Sequence, residues 1–276
     1  MNDAEKNIED HYAHYGLVET VRDELEQSLK GADQVDLDAL APFDEFHIRG
    51  REATLEMIEL AGFASGSHVL DVGCGVGGPS RWLAKHCTCR VTGLDITEAF
   101  CTVATELAER TGMQAQVDYR HGSALDMPFG DNSFDGVWMQ HVNMNIEDKQ
   151  VLFSECRRVL RPGGTLVFYE IIEHSGEAIR FPVPWARTAE ISFLVNETGF
   201  RQHLENAEFR INSWQDVSEP AACWFRQMLE QVEAGLPPVL ATRALKQAGA
   251  ALLAANMLDN LDNKRVSVVR GVAIRQ

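Results

Sequence analysis

From about residue 68 onward the apolar positions switch between two rhythms: short continuous runs and longer runs with helical spacing. "HVLDVG" (68–73), "RVTGLD" (90–95), "VDYRHGSA" (117–124), "FDGVWMQ" (134–140) and "GTLVFYEII" (164–172) have the length and β-branched or aromatic content of strands. Between them, "PSRWLAKHC", "EAFCTVATELAERTG" and "EDKQVLFSECRRVLR" read as helices, the last placing Leu152, Cys156 and Val159 on one face. Strands alternating with helices predict a parallel sheet covered on both faces. The rhythm breaks at 174–196, an irregular stretch containing aromatics. It resumes with a helix in "ETGFRQHLENAEF", a strand in "RINSWQDV", a mostly helical segment over 219–262 and a closing strand at 265–275. Ahead of the sheet, residues 5–30 read as helix, 31–50 as a connector and 51–61 as a second helix.

This division predicts a helical N-terminal lid over 1–62 and an α/β domain over 63–276, with cap insertions at about 174–196 and 219–262. A net charge of −16 without a Lys/Arg cluster speaks against a nucleic-acid partner. No apolar run is long enough for a membrane span, and the acidic start "MNDAEKNIEDHY" does not read as a signal peptide, so a cytoplasmic setting is expected. The six cysteines form no Cys-x-x-Cys pair, no metal site is evident, and Cys101 and Cys156 read as core thiols. A small molecule is the expected partner, and a homodimer is left open.

Chemistry enters at "LDVGCGVGGPS". Gly73, Gly75 and Gly78 form G-x-G-x-x-G between a strand and a helix, and Asp95 ends the next strand at the distance suited to ribose hydroxyls. The loop alone does not choose between a dinucleotide and another nucleoside. Asp71, two residues before the first glycine, is poorly placed for a phosphate but suits an ammonium or sulphonium group, which favours S-adenosylmethionine.

The set "VLDVGCGVGG", "VTGLDIT", "GSALDMPF" with "NSFDGVW", and "RRVLRPGGTLVFYE" resembles the class I S-adenosylmethionine-dependent methyltransferases. "FHIRGREAT" and "VPWA" with "SFL" resemble their small-molecule branch, which includes sarcosine/dimethylglycine N-methyltransferases and ubiquinone/tocopherol-type enzymes. The resemblance implies a Rossmann-like seven-stranded sheet with its last strand antiparallel, and methyl transfer that leaves S-adenosylhomocysteine. It further implies that Gly73 and Gly75 hold the methionine part, Asp95 the ribose and Ile96 the adenine face. Ser123 and Ala124 flank the adenine edge, where the family often carries an acid, and Gln140 touches the cofactor's methionine end.

In "WMQHVNMNIEDK" after the fourth strand, His141 is the candidate base or hydrogen-bonding clamp, and Asn145 reads as a helix N-cap with Asp148 three residues on. Tyr15, His47 and Trp185 are candidate acceptor contacts, and Arg49 or Arg51 a candidate partner for an acceptor carboxylate. The expected activity is methylation of a small molecule, an amine such as sarcosine or dimethylglycine being the example. The alternatives are an NAD-dependent oxidoreductase and a cofactor-binding protein without turnover.

Overall fold

The computed structural model describes residues 3–14, 22, 26, 34–235 and 249–276. The expected helix at the N-terminus is seen as α1 (Asp3–His14), and the rest of that stretch, Tyr15 included, lies outside the described residues. The connector reading of 31–50 is corrected. Leu37–Asp44 form a helix, α2, capped by Asp36, whose side chain accepts from the Asp38 amide at 3.0 Å. Leu37, Leu40 and Phe43, spaced by three, are its buried stripe, a signal masked in the sequence by Pro42 inside the helix and by the acids around it. Next come α3 (Gly50–Ala61), β1 (His68–Val72), α4 (Gly78–Cys87), β2 (Arg90–Asp95), α5 (Glu98–Arg110), β3 (Val117–His121), β4 (Phe134–Gln140), α6 (Lys149–Val159) and β5 (Leu160–Glu173). The chain ends with α7 (Glu197–Asn206), β6 (Phe209–Asp216), α8 (Ser218–Glu233), α9 (Ala250–Asp262) and β7 (Val266–Arg275).

The seven strands form one sheet in the order β3-β2-β1-β4-β5-β7-β6. β1 pairs in parallel with β2 and β4, and β7 runs antiparallel to both β5 and β6. Successive side chains of a strand point to opposite faces, and the core divides accordingly. Val69, Trp138, Val167 and Tyr169 pack with Met57, Trp82 and residues of α8 and α9. Leu70, Val137, Leu166 and Phe168 pack with Leu152, Phe153 and Cys156 of α6 and Phe200 of α7. Cys101 and Cys156 are buried free thiols. Residues 174–196 contain only a single turn of 3-10 helix, at Ala189–Ile191. Among the described residues no helix is long and apolar enough to cross a membrane.

The strand order reverses between β1 and β4. Connections leave β1 toward one side and β4 toward the other, which opens a crevice at their carboxyl ends. The glycine loop and the stretch 141–146 therefore face each other across one gap.

Candidate active site

Gly73, Gly75 and Gly77 all have positive φ, which lets the chain turn back from β1 into α4. A Cβ on Gly73 would meet Val142 at 2.4 Å, so the turn packs directly on the loop after β4. Gly75 has no atom within 4 Å of its missing Cβ, and its backbone borders open space. The loop is latched to the end of β2: Leu94 O accepts from Gly73 N and Cys74 N at 2.7 and 3.1 Å. Asp95 Oδ2 accepts from Gly75 N, and its Oδ1 from Thr97 N, each at 2.9 Å. Burial raises the Asp95 carboxyl and these amide donors hold it down. Asp71 is buried on β1, where Ser80 Oγ donates to Oδ2 at 2.5 Å, and burial pushes its pKa up to about 7.

The start of α4 is occupied by protein. A Cβ on Gly78 would stand 2.1 Å from the Asp44 carbonyl oxygen, and the Asp44 carboxylate sits over the same turn, paired with Arg81 at 2.6 Å. A dinucleotide places its pyrophosphate on such a helix start. Here that position presents acceptor oxygens, which repel phosphate and suit a cation.

Gly73, Gly75, Asp71, Asp95, Ile96, Ser123 and Ala124 line one cavity of ≈ 920 Å³, together with Gln140 and His141. Ser123 Oγ accepts from Leu125 N at 3.0 Å and donates to Glu5 of α1. An acid therefore stands beside Ser123, brought from 118 residues away.

His141 has φ +56°, an uncommon region for a residue with a side chain. Its ring lies against Tyr169, with centroids 4.6 Å apart, and Nδ1 is 3.0 Å from Tyr169 O. A carbonyl only accepts, so Nδ1 carries the proton and Nε2 presents its lone pair. Nε2 is buried without a partner. Burial, with nearby His47 adding to it, lowers the His141 pKa to about 3, so the imidazole is neutral at physiological pH.

Beneath this loop, Glu170 Oε2 accepts from Val142 N and Asn143 N at 3.1 Å. Burial raises Glu170 to about 8, against the pull of those amides and of Lys149. The Lys149 amino group donates to Asn143 O at 2.6 Å and to Ile146 O, and burial lowers it to about 8. The loop that aims His141 is thus clamped from below on both its N–H and C=O sides.

The N-cap of α6 is Asp148, whose side chain accepts from Val151 N at 2.9 Å, so the expected cap at Asn145 is corrected. Asn145 is instead a buried tie. Its Nδ2 donates to Trp185 O and Ile191 O at 2.9 Å, and its Oδ1 accepts from Tyr12 of α1 at 2.9 Å. Asparagine serves either role, and sequence alone does not tell a cap from a cross-link.

His47 and Trp185 also line the cavity. Thr54 Oγ1 lies 2.9 Å from His47 Nε2, accepts from Gln140 Nε2 at 3.3 Å and donates to Glu45 at 2.8 Å. The arginines face elsewhere: Arg49 pairs with Glu52 and Glu56, and Arg51 with Asp38. Residues not singled out in the sequence complete the walls. Trp224, Phe225 and Met228 come from α8, and Leu253, Ala254 and Met257 from α9. Their spacing within each helix is the ordinary amphipathic one, and nothing in it separates a cavity wall from core.

A seven-stranded sheet with this order, a glycine turn after β1 and an acid closing β2 define a class I methyltransferase fold. Residues 70–168 match the family model of a methyltransferase domain. Over 109 residues the chain is 42% identical to the sterol 24-C-methyltransferase ERG6B of Gibberella zeae, a match covering 40% of this chain and 29% of that one. The matches span less than half of the first curated relatives, 44% in the case of methyltransferase GfsG of Streptomyces halstedii. Among solved structures, the geranyl diphosphate C-methyltransferase of Streptomyces coelicolor A3(2) aligns with TM-score 0.68 at 17% identity, over 82% of this chain and 79% of that one. A putative sarcosine dimethylglycine methyltransferase from Galdieria sulphuraria aligns with TM-score 0.67 at 16% identity, over 85% of this chain and 94% of that one. At such identities the likeness speaks for the fold alone.

Proposed function

We propose that this protein is an S-adenosylmethionine-dependent methyltransferase whose acceptor is a small molecule with a substantial apolar body and a hydroxyl or amine at its reacting end. One observation carries the acceptor class: the cavity beyond the glycine loop is walled by Trp224, Phe225, Met228, Leu253 and Met257, and His141, whose Nε2 has no hydrogen-bond partner, lines the same space. Apolar walls with one fixed polar group are the pattern of a site that orients a hydrophobic ligand. A small amino acid such as sarcosine carries a carboxylate and needs a cation. Lys149 is the one Lys or Arg among the described lining residues, and its amino group is engaged with two backbone carbonyls. Sterol, in the name of one similar protein, has an apolar body of this kind.

The cofactor reading rests on the cleft itself. Gly75 borders open space, Asp71 and Asp44 are carboxylates lining the cavity, and the helix start is stoppered against phosphate. Asp71, Gly73 and Gly75 would hold the methionine part, Asp95 the ribose, Ile96, Ser123 and Ala124 the adenine, and Gln140 the floor near the transferred group. S-adenosylmethionine supplies an activated methyl group on a sulphonium, whose departure leaves a neutral thioether. The chain itself needs to hold the acceptor in line and exclude water. His141 Nε2 accepts the hydrogen of the acceptor's hydroxyl. As the new O–C bond forms, that proton sits on an oxonium and becomes strongly acidic, so a weakly basic neutral imidazole suffices to take it. An amine acceptor attacks in its neutral form and needs no base during transfer. The described helices within 1–62 serve as lid, with 174–196 and the described helices of 219–262 as caps.

The test is incubation with methyl-labelled S-adenosylmethionine and two acceptor panels, one of terpenoid and polyketide alcohols and amines, the other glycine, sarcosine and dimethylglycine. Labelled product from the first panel supports the reading. Label confined to the second overturns the acceptor class.

A further inference from the structure

Beside the glycine loop the fold leaves a carboxylate of the cavity wall with one oxygen unpartnered. Asp44 is buried at the end of α2, with 3% of its surface exposed. Its Oδ2 accepts from Arg81 Nη2 at 2.6 Å, but its Oδ1 is buried with no hydrogen bond. Asp44 lines the cavity next to Asp71, Gly73, Gly75 and Pro79, whereas Arg81 is fully buried behind it and is not among the lining residues. Arg81 reaches back to Tyr119 OH and Ala104 O, each at 3.4 Å, which fixes its guanidinium in place. The arrangement holds one oxygen of a carboxylate and leaves the other, buried in a residue of the cavity wall, without a bond.

A buried acceptor left unmade is costly, and such groups persist where a ligand completes them. The local charge fixes the sign of that ligand. Asp44, Glu45 and Asp71 lie around this end of the cleft, with Arg81 the single guanidinium against them, so the missing partner is a cationic donor. Burial raises the Asp44 carboxyl to about 6 while Arg81 opposes the rise, so it is ionised at neutral pH.

We propose that Asp44 Oδ1 receives the α-ammonium group of the amino-acid moiety of S-adenosylmethionine, making Asp44 a cofactor-binding residue and Arg81 its positioning residue. The assignment rests on the cofactor reading above. Asp44 stands over the first turn of α4, while His141 follows β4, the strand on the other side of β1 from β2. The ammonium lies four bonds from the sulphonium along the methionine chain, so it and the reacting methyl can meet different residues of the cleft.

The experiment compares S-adenosylhomocysteine with 5′-methylthioadenosine, which lacks the amino-acid moiety, by calorimetry on the wild type and on Asp44→Asn. The expected result is a loss of roughly 10- to 100-fold in affinity for S-adenosylhomocysteine, the scale of a hydrogen bond to a charged group, with methylthioadenosine affinity held within about twofold. Equal losses for both ligands assign Asp44 a structural role and overturn the proposal, as does no loss for either. If Asp44→Asn does not fold because Arg81 is stranded, the double variant Asp44→Asn/Arg81→Met removes both buried charges together and is held to the same ligand comparison. A wild type that binds neither ligand rejects the cofactor reading itself, and the Asp44 assignment with it.

Discussion

The two ends of the cavity are built on different terms. At the cofactor end, short turns close strands β1 and β2, and the backbone itself holds the acid, as at Asp95 with Gly75 N and Thr97 N. At the acceptor end the walls are side chains of α1, α8 and α9, apolar and contributed from distant parts of the chain. The first end is specified by backbone geometry and tolerates few changes. The second is specified by volume.

Four changes break or sharpen this contrast. The largest effect is expected from His141→Asn, because asparagine tolerates the left-handed backbone that His141 adopts while removing the ring lone pair. Turnover should fall by roughly 10²- to 10⁴-fold with S-adenosylhomocysteine affinity unchanged. A loss of affinity of similar size would mean that the loop, and not the imidazole, was at stake. Gly73→Ala should erase the separation between the two ends. Its Cβ meets Val142 in the His141 loop, and the backbone is strained as well, so about 1–3 kcal/mol of stability should be lost along with both cofactor affinity and turnover. Chemical denaturation and calorimetry would read the two losses side by side.

Filling the other chamber with Ala254→Phe should leave cofactor affinity intact and lower kcat/KM for the acceptor by about 10-fold or more. If cofactor affinity falls with it, the two chambers are not separable. The smallest effect concerns pH. Burial lifts Asp71 to about 7 and Glu170 to about 8, above the 3.8 and 4.5 of the free groups, so the native state holds more protons than the unfolded chain between about pH 5 and 8. Stability therefore falls as pH rises through that window. Asp44, raised to about 6, acts in the same direction, while His141, lowered to about 3, and Lys149, lowered to about 8, work the other way mainly at the two ends of the interval. The ligand-free melting temperature should drop by a few degrees from pH 6 to pH 8, and a rise across that interval would show that these carboxyls do not govern the transition.

The same contrast explains what was legible in the sequence. Strands β1 to β5 and the glycine turn announce themselves locally, because a buried parallel strand is a continuous apolar run and a tight turn needs glycine. The position of His141 followed from the rule that ligands gather at the carboxyl ends of strands. The Asp44 carboxylate did not, since its role depends on a helix hidden behind Pro42 and on Arg81, 37 residues later. Nor did Glu5, which reaches Ser123 across 118 residues. For Asn145 the chemistry was legible and the partner was not. Its amide does bind backbone groups, but those of Trp185 and Ile191 and not the next helix. Arg49 and Arg51 were equally plausible as ligands until Glu56 and Asp38 claimed them.

Helix α1 touches both halves of the cavity, through Glu5 on Ser123 at one end and Tyr12 on Asn145 at the other. Those two contacts lie on one rigid rod, so they form and break together. Motion of this helix as a unit therefore loosens both ends of the cavity at once.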